Sequence, residues 1–206
     1  MVLVRHGHVE GISPPRFRGR TELPLTEHGL RQAAATRDFL SLFVRPAALY
    51  ASPLSRCIRT AEVLGQPHGC VPQPLPAFAD IDYGAWQGRT FDDVRASAPD
   101  AFAQWFQAPH LAAIPGAETL YDVAVRVAGV LRMIVSRHQG ETVLLVGHDS
   151  VNRIFLLLAM ELPICRYWLF RQSPCGVSFL EQSSQGDWIA IGVNGIAHLG
   201  ALSGLP

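Results

Sequence analysis

Two short apolar runs, each stopped by glycine and histidine, constrain this chain more than any other feature. Val2-Leu3-Val4 runs into Arg5-His6-Gly7-His8, and Thr142 to Val146 (TVLLV) runs into Gly147-His148. Uninterrupted apolar runs of this length read as strands covered on both faces. Polar groups at the carboxyl end of such a strand stand where open α/β sheets bind ligands. Gly7 lets the backbone turn sharply and approach a ligand closely. Two strands that each deliver a histidine to one sheet edge form a convergent constellation. The bland alternative is two unrelated surface histidines at loop starts.

The totals exclude several classes. A chain of 206 residues, 49% hydrophobic and 17% charged, suits one globular domain with a sizeable core. Its formal net charge is +0, so it carries no electrostatic footprint for nucleic acid or an acidic membrane. The longest apolar run near a helix, Ile154 to Met160, is far too short to span a bilayer. All 17 basic residues are arginine. Arginine is therefore the only strong cation available to an oxyanion, and it is also the better bidentate partner. Cys57, Cys70, Cys165 and Cys175 are scattered without a CxxC pair and read as reduced thiols of a cytoplasmic protein. With the first strand starting at residue 2, no signal peptide is expected ahead of it.

Along the chain, Gly11 to Pro24 is a polar loop carrying Arg16, Arg18 and Arg20. At least one of the three is expected to reach back to Arg5 and His6, with Arg18 and Arg20 the candidates for substrate binding. Thr26 is an N-cap with Glu27 in the first turn, and a helix runs from there to about Phe43. Ala47 to Ala51 is a second strand. Ser52-Pro53-Leu54-Ser55 turns into a helix reaching about Leu64, which puts Arg56 in a first turn that favours anions. Arg59 is better read as a surface partner of Glu62. Gly65 to Pro76 reads as loop. Asp80 and Asp82 follow among aromatic residues, and they share one side if the stretch is extended. Such surroundings can raise a carboxyl pKa and make a general acid. The bland reading is a pair of turn-capping aspartates.

An aromatic insertion at about 89–115, with short helices broken at Pro99, could lid the site; the bland reading, a small helical subdomain with its own core, does not exclude a lid. A long amphipathic helix spans Glu118 to His138, with Val123, Val127, Val130, Leu131 and Ile134 inward. Gln139-Gly140 stops it. A helix from about Ser150 to Met160 follows the second Gly-His turn. Gly176 to Glu181 and Trp188 to Val193 then make an antiparallel hairpin around Gln185-Gly186. The whole reads as a single domain, 1–206.

Arg5, His6, Arg56 and His148, with Asp80 and Asp82 as acids, make a site for a dianion. A histidine among cations stays neutral, leaving one ring nitrogen free to attack phosphorus. Guanidinium groups meet the charge spread over a transferring phosphoryl group, and an aspartate can protonate the leaving alcohol. His6, His8 and His148 could also form a zinc site, but the arginines around them repel a cation.

The chain resembles the histidine phosphatase superfamily, the phosphoglycerate mutase-like group, and within it the small bacterial alpha-ribazole phosphatase-like members. The match runs from Leu3 to about Leu199. It includes LVRHG at Leu3 to Gly7, PLTEHG at Pro24 to Gly29, YASPLSRCIRTAE at Tyr50 to Glu62 and DYGAWQG at Asp82 to Gly88. ETL at Glu118 to Leu120 and VGHDSVNR at Val146 to Arg153 complete it. RHG alone is weak evidence; RHG, SPLSR and GHD in this order and spacing are strong.

The resemblance implies a three-layer α/β/α sandwich, its sheet mainly parallel with an antiparallel edge. It implies a metal-independent phosphomonoesterase with no cofactor, acting on a small phosphate ester. His6 would become phosphohistidine, and Arg5, Arg56 and His148, with Gly7 beside them, would hold the phosphoryl group. The family's proton donor is usually a glutamate, two residues before the aspartate of the aromatic-glycine stretch. Here Asp80, one methylene shorter, fills that position, and Asp82 is the fallback donor or a substrate contact. His8 stands where a glutamate or glutamine usually follows RHG, and Ile12 where many members carry asparagine. The rival functions are a mutase using the same pocket and a non-catalytic module that binds phosphorylated ligands. A homodimer is the assembly entertained.

Overall fold

A computed structural model of the chain describes residues 1–204. Six strands form one sheet: β1 (Val2–Arg5), β2 (Ala48–Ala51), β3 (Gln73–Pro74), β4 (Val143–Gly147), β5 (Val177–Gln182) and β6 (Trp188–Gly195). Their order across the sheet is β3-β2-β4-β1-β5-β6. The pairs β2/β3, β2/β4 and β1/β4 are parallel, and β5 and β6 add an antiparallel edge. Every residue of β1, β2 and β4 is buried, which is why their sequences are apolar without alternation.

Helices α1 (Glu27–Ser41) and α2 (Ser55–Gly65) cover one face, and α5 (Leu120–Arg137) and α6 (Asp149–Ala159) the other. Side chains sort with a period of two. Val2, Val4, Leu144 and Val146 pack against Leu40, Cys57, Ala61 and Leu64 of the first pair. Leu3 and Leu145 pack against Val123, Val127, Val151 and Phe155 of the second. The three-layer sandwich with an antiparallel edge is thus the observed architecture. No helix among the described residues is long and apolar enough to cross a membrane.

Local chemistry sets the helix starts. The Thr26 side chain accepts the Gly29 N–H, as expected of an N-cap. Thr119 and Asp122 form a full capping box for α5, which starts two residues inside the expected Glu118. Helix α1 stops at Ser41 rather than near Phe43, because Val44 and Phe43 turn back onto Leu40. Pro53 lies just outside α2, whose N-cap is Leu54. The stretch 65–76, expected as loop, contributes β3, a two-residue edge strand paired with Tyr50 and Ala51. Two residues carry no readable periodicity, and Pro74 is tolerated because the strand is an edge.

The aromatic insertion folds as α3 (Phe91–Ser97) and α4 (Pro99–Gln107). It does not build a core of its own. Val94, Phe102 and Trp105 belong to the same buried cluster as Leu3 and Leu145. Phe17 from the arginine-rich loop ties them together, with rings of Tyr83, Trp86 and Phe91 within 5.1 Å.

The connectivity also locates a crevice. Adjacent parallel strands β1 and β4 send their following helices, α1 and α6, to opposite faces of the sheet. That reversal opens a gap at the carboxyl ends of the strands, where α/β sheets bind ligands.

Candidate active site

His6 and His148 leave the ends of β1 and β4 on either side of this gap. The His6 N–H bonds the Gly147 carbonyl at 3.0 Å, and the two imidazole centroids lie 5.2 Å apart. His6 Nδ1 lies 2.7 Å from the Gly7 carbonyl. A carbonyl only accepts, so Nδ1 carries the proton and Nε2 keeps its lone pair. Burial, then Arg5, His148 and Arg56, hold the His6 pKa well below 6.5 against the opposing Gly7 hydrogen bond. The ring is therefore a neutral base with one free nitrogen at neutral pH. Gly7 is obligatory here: a Cβ would meet the Gly29 carbonyl oxygen at 2.6 Å.

Arg5 and Arg56 are both buried. Arg5 Nη1 donates to the Gln172 carbonyl at 2.6 Å. Arg56, fully enclosed, donates to the Thr21 and Gly19 carbonyls at 2.8 and 2.6 Å and pairs with Asp80 at 3.2 Å. The Nε of each arginine is buried with no partner. Native structures seldom leave a buried donor unpaired, so these two nitrogens call for a reason.

His148 is also fully buried. Its Nδ1 lies 3.5 Å from Asp80 Oδ2 and its Nε2 2.7 Å from Ser52 Oγ. Burial, then Arg56 and Arg5, push its pKa well below 6.5. Asp80 gathers the site: Arg56 and His148 face Oδ2, while the Ser150 hydroxyl and the Ile81 N–H donate to Oδ1.

The other candidates separate. Of the three loop arginines, Arg18 is half-buried and donates to the Gly11 carbonyl at 2.6 Å. Burial and the nearby charge of Arg5 bring its pKa down to about 10, with Asp80 and Asp149 opposing. Arg16 is exposed and ties the loop to the Gly88 carbonyl. Arg20 pairs with Glu118 at 3.0 Å, reaches Asp82 at 3.7 Å and donates to the Asp80 carbonyl. Asp82 does not join Asp80. Its carboxylate accepts the Gly84 N–H at 2.9 Å in a turn where Gly84 has φ +50. Arg59 pairs with Glu62 at 3.0 Å on the surface, as expected. His8 binds Thr26 Oγ1 at 3.0 Å and packs edge-on against His28.

Four residues of the site's frame were not singled out from the sequence. Ser52 and Ser150 touch His148 and Asp80 directly. Arg126 donates to the carbonyls of Ala77, Ala79 and Asp80 and forks onto Glu118, clamping the segment that presents Asp80. Ser52, Ser150 and Glu118 lie inside quoted motifs, so a signal was present for them. Arg126 lies beside the inward stripe of α5, three residues after Val123 and four before Val130, and a lone arginine there gave no signal.

Known proteins resemble this chain in sequence and in fold. A family model described as histidine phosphatase superfamily (branch 1) matches residues 1–194. Phosphoserine phosphatase 1 of Hydrogenobacter thermophilus is 27% identical over 97% of this chain and 94% of its own. A metal-independent phosphoserine phosphatase of Arabidopsis thaliana is 32% identical over 76% of this chain and 67% of its own. Among solved structures, Bacillus stearothermophilus YhfR superposes with a TM-score of 0.89 at 30% identity, covering 96% of this chain and 98% of that one. A mycobacterial glucosyl-3-phosphoglycerate phosphatase superposes with a TM-score of 0.86 at 25% identity, covering 95% and 98%. With RHG at the end of β1, SPLSR entering α2 and GH at the end of β4, this chain belongs to the histidine phosphatase superfamily.

Proposed function

We propose that this protein hydrolyses a small phosphomonoester through a phosphohistidine at His6, with Asp80 as the proton donor. The observation that carries the reading is the free His6 Nε2 beside two buried arginines whose Nε atoms lack partners. Nε2 forms a bond to phosphorus as the ester oxygen–phosphorus bond breaks. Arg5, Arg56 and His148 take the phosphoryl oxygens, and Arg18 adds charge from the loop side. The leaving alkoxide takes its proton from Asp80. Water then attacks phosphorus, gives a proton back to the Asp80 carboxylate and releases orthophosphate and free His6.

Arg56 pairs with Asp80 at 3.2 Å, so a bound dianion would compete with that carboxylate for the same guanidinium. Arg20, Glu118 and Arg126 act on this reading as the frame that holds the Asp80 segment in place. Asp82 closes the turn after it.

The substrate is a small phosphorylated metabolite, and two relatives named for phosphoserine put that ester first among those to test. The test is a panel of phosphate esters, phosphoserine and 3-phosphoglycerate included, assayed with EDTA present. Orthophosphate release is the expected outcome. Conversion of 3-phosphoglycerate into its isomer without release would replace this reading with a mutase.

A further inference from the structure

Ser52 leaves the carboxyl end of β2 and is fully buried. Its hydroxyl oxygen lies 2.7 Å from His148 Nε2 and accepts the Leu54 N–H at 3.3 Å. On the opposite edge of the ring, Nδ1 faces Asp80 Oδ2 at 3.5 Å. Cys57 closes the remaining edge. Its sulfur stands 3.4 Å from Nε2 and 3.8 Å from Nδ1, and its own proton goes to the Gly147 carbonyl at 3.3 Å.

A neutral imidazole has a single N–H, and its partners decide which nitrogen carries it. A carboxylate oxygen is an acceptor, whereas a serine hydroxyl can donate as well as accept. Nδ1 therefore bears the proton toward Asp80, and Nε2 must accept. The hydroxyl of Ser52 can donate there while its lone pairs remain for Leu54. This arrangement satisfies every group. The opposite tautomer sets a nitrogen lone pair against the carboxylate.

We propose that Ser52 is a positioning residue that holds His148 as the Nδ1–H tautomer, so that the imidazole offers its N–H on the side of Asp80. The proposal rests on the phosphatase reading above for its consequence in turnover, but not for the tautomer itself.

Ser52→Ala and Ser52→Thr test it, with long-range proton–nitrogen correlation spectra of His148, kcat and KM on p-nitrophenyl phosphate, and Tm. The His148 resonance is assigned by its loss in His148→Gln. The wild type should show Nδ1–H. In Ser52→Ala the spectrum should move to mixed or Nε2–H tautomers, and kcat should fall about 10–100-fold, the usual cost of losing a residue that orients a functional one. KM should move less than kcat. Ser52→Thr should recover the tautomer and most of kcat. An unchanged Nδ1–H signal in Ser52→Ala would overturn the proposal. So would a kcat loss that tracks a fall in Tm and is not recovered by threonine. If threonine does not fit the buried position, the alanine spectrum alone decides. A wild type inactive on every ester would sink the phosphatase reading, yet a Ser52-dependent tautomer would still support this assignment.

Discussion

Asp80 meets four partners with two oxygens: Arg56, His148, Ser150 and the Ile81 N–H. That crowding holds in place a side chain one methylene shorter than glutamate, at the position proposed for the proton donor. Asp80→Asn keeps the shape and removes the acid. It should slow hydrolysis of alkyl phosphates by about 10²–10⁴-fold, the span of general-acid contributions. p-Nitrophenyl phosphate should slow far less, since its leaving group needs little protonation. Equal slowing of both would make Asp80 a positioning residue. At His6, acid-labile, base-stable phosphate should be trapped on the wild type after rapid quench and should be absent from His6→Ala. Full labelling of that variant would move the nucleophile elsewhere. Arg56→Ala removes a charge-assisted contact worth roughly 1.5–3 kcal/mol, so vanadate inhibition should weaken by about 10–150-fold. Unchanged inhibition would take Arg56 out of the phosphoryl pocket.

The start of α1 abuts the His6–His8 loop, and the fit is tight. A Cβ on Gly29 would come 2.2 Å from the His8 carbonyl oxygen, and one on Gly7 would meet Gly29 in turn. Neither contact is with a flexible side chain, so backbone must move. Gly29→Ala should therefore displace the His6–His8 loop, and kcat should fall at least tenfold while α1 remains folded. Near-normal kcat would show that the loop adjusts without cost. The aromatic insertion makes the opposite point. Its ring contacts run from Phe17 through Tyr83 and Trp105 to Tyr167. Trp105→Ala should cost about 3–5 kcal/mol of stability, as large core truncations do. A self-contained subdomain would instead melt separately, giving two transitions by calorimetry where one is expected. The composition could say that these residues were aromatic. Which core they joined depended on Phe17, far away in the chain.

At the scale of the molecule, two neutral histidines are enclosed among arginines, and that couples stability to pH. Both pKa values are lowered in the folded state, by burial first and then by neighbouring arginines. Between those lowered values and about 6.5 the unfolded chain binds more protons than the folded one. Stability is therefore full above about pH 6.5 and declines as pH falls toward the folded-state values. His8 and His198, also lowered by burial, act in the same direction. Tm should be flat from pH 8 to 7 and fall from 6.5 to 5. The fall should be shallower in His6→Gln, and inorganic phosphate should raise Tm by mass action. A slope unaffected by His6→Gln would mean that other groups dominate. Much of this molecule was legible in advance. The buried runs ending in His6 and His148, the Thr26 cap, Arg56 in the first turn of α2 and the closing hairpin all follow from short-range rules. Pleat period, capping and apolar cover act over a few residues, so the sequence by itself determined those elements. Only the tertiary structure set Asp80 rather than Asp82 beside His148, turned Arg20 onto Glu118 and the Asp80 carbonyl, and set Ser52 and Arg126 in the frame. Those choices rest on contacts between residues tens of positions apart in the chain. No local pattern encodes which partner a side chain meets once the sheet has brought β1, β2 and β4 side by side.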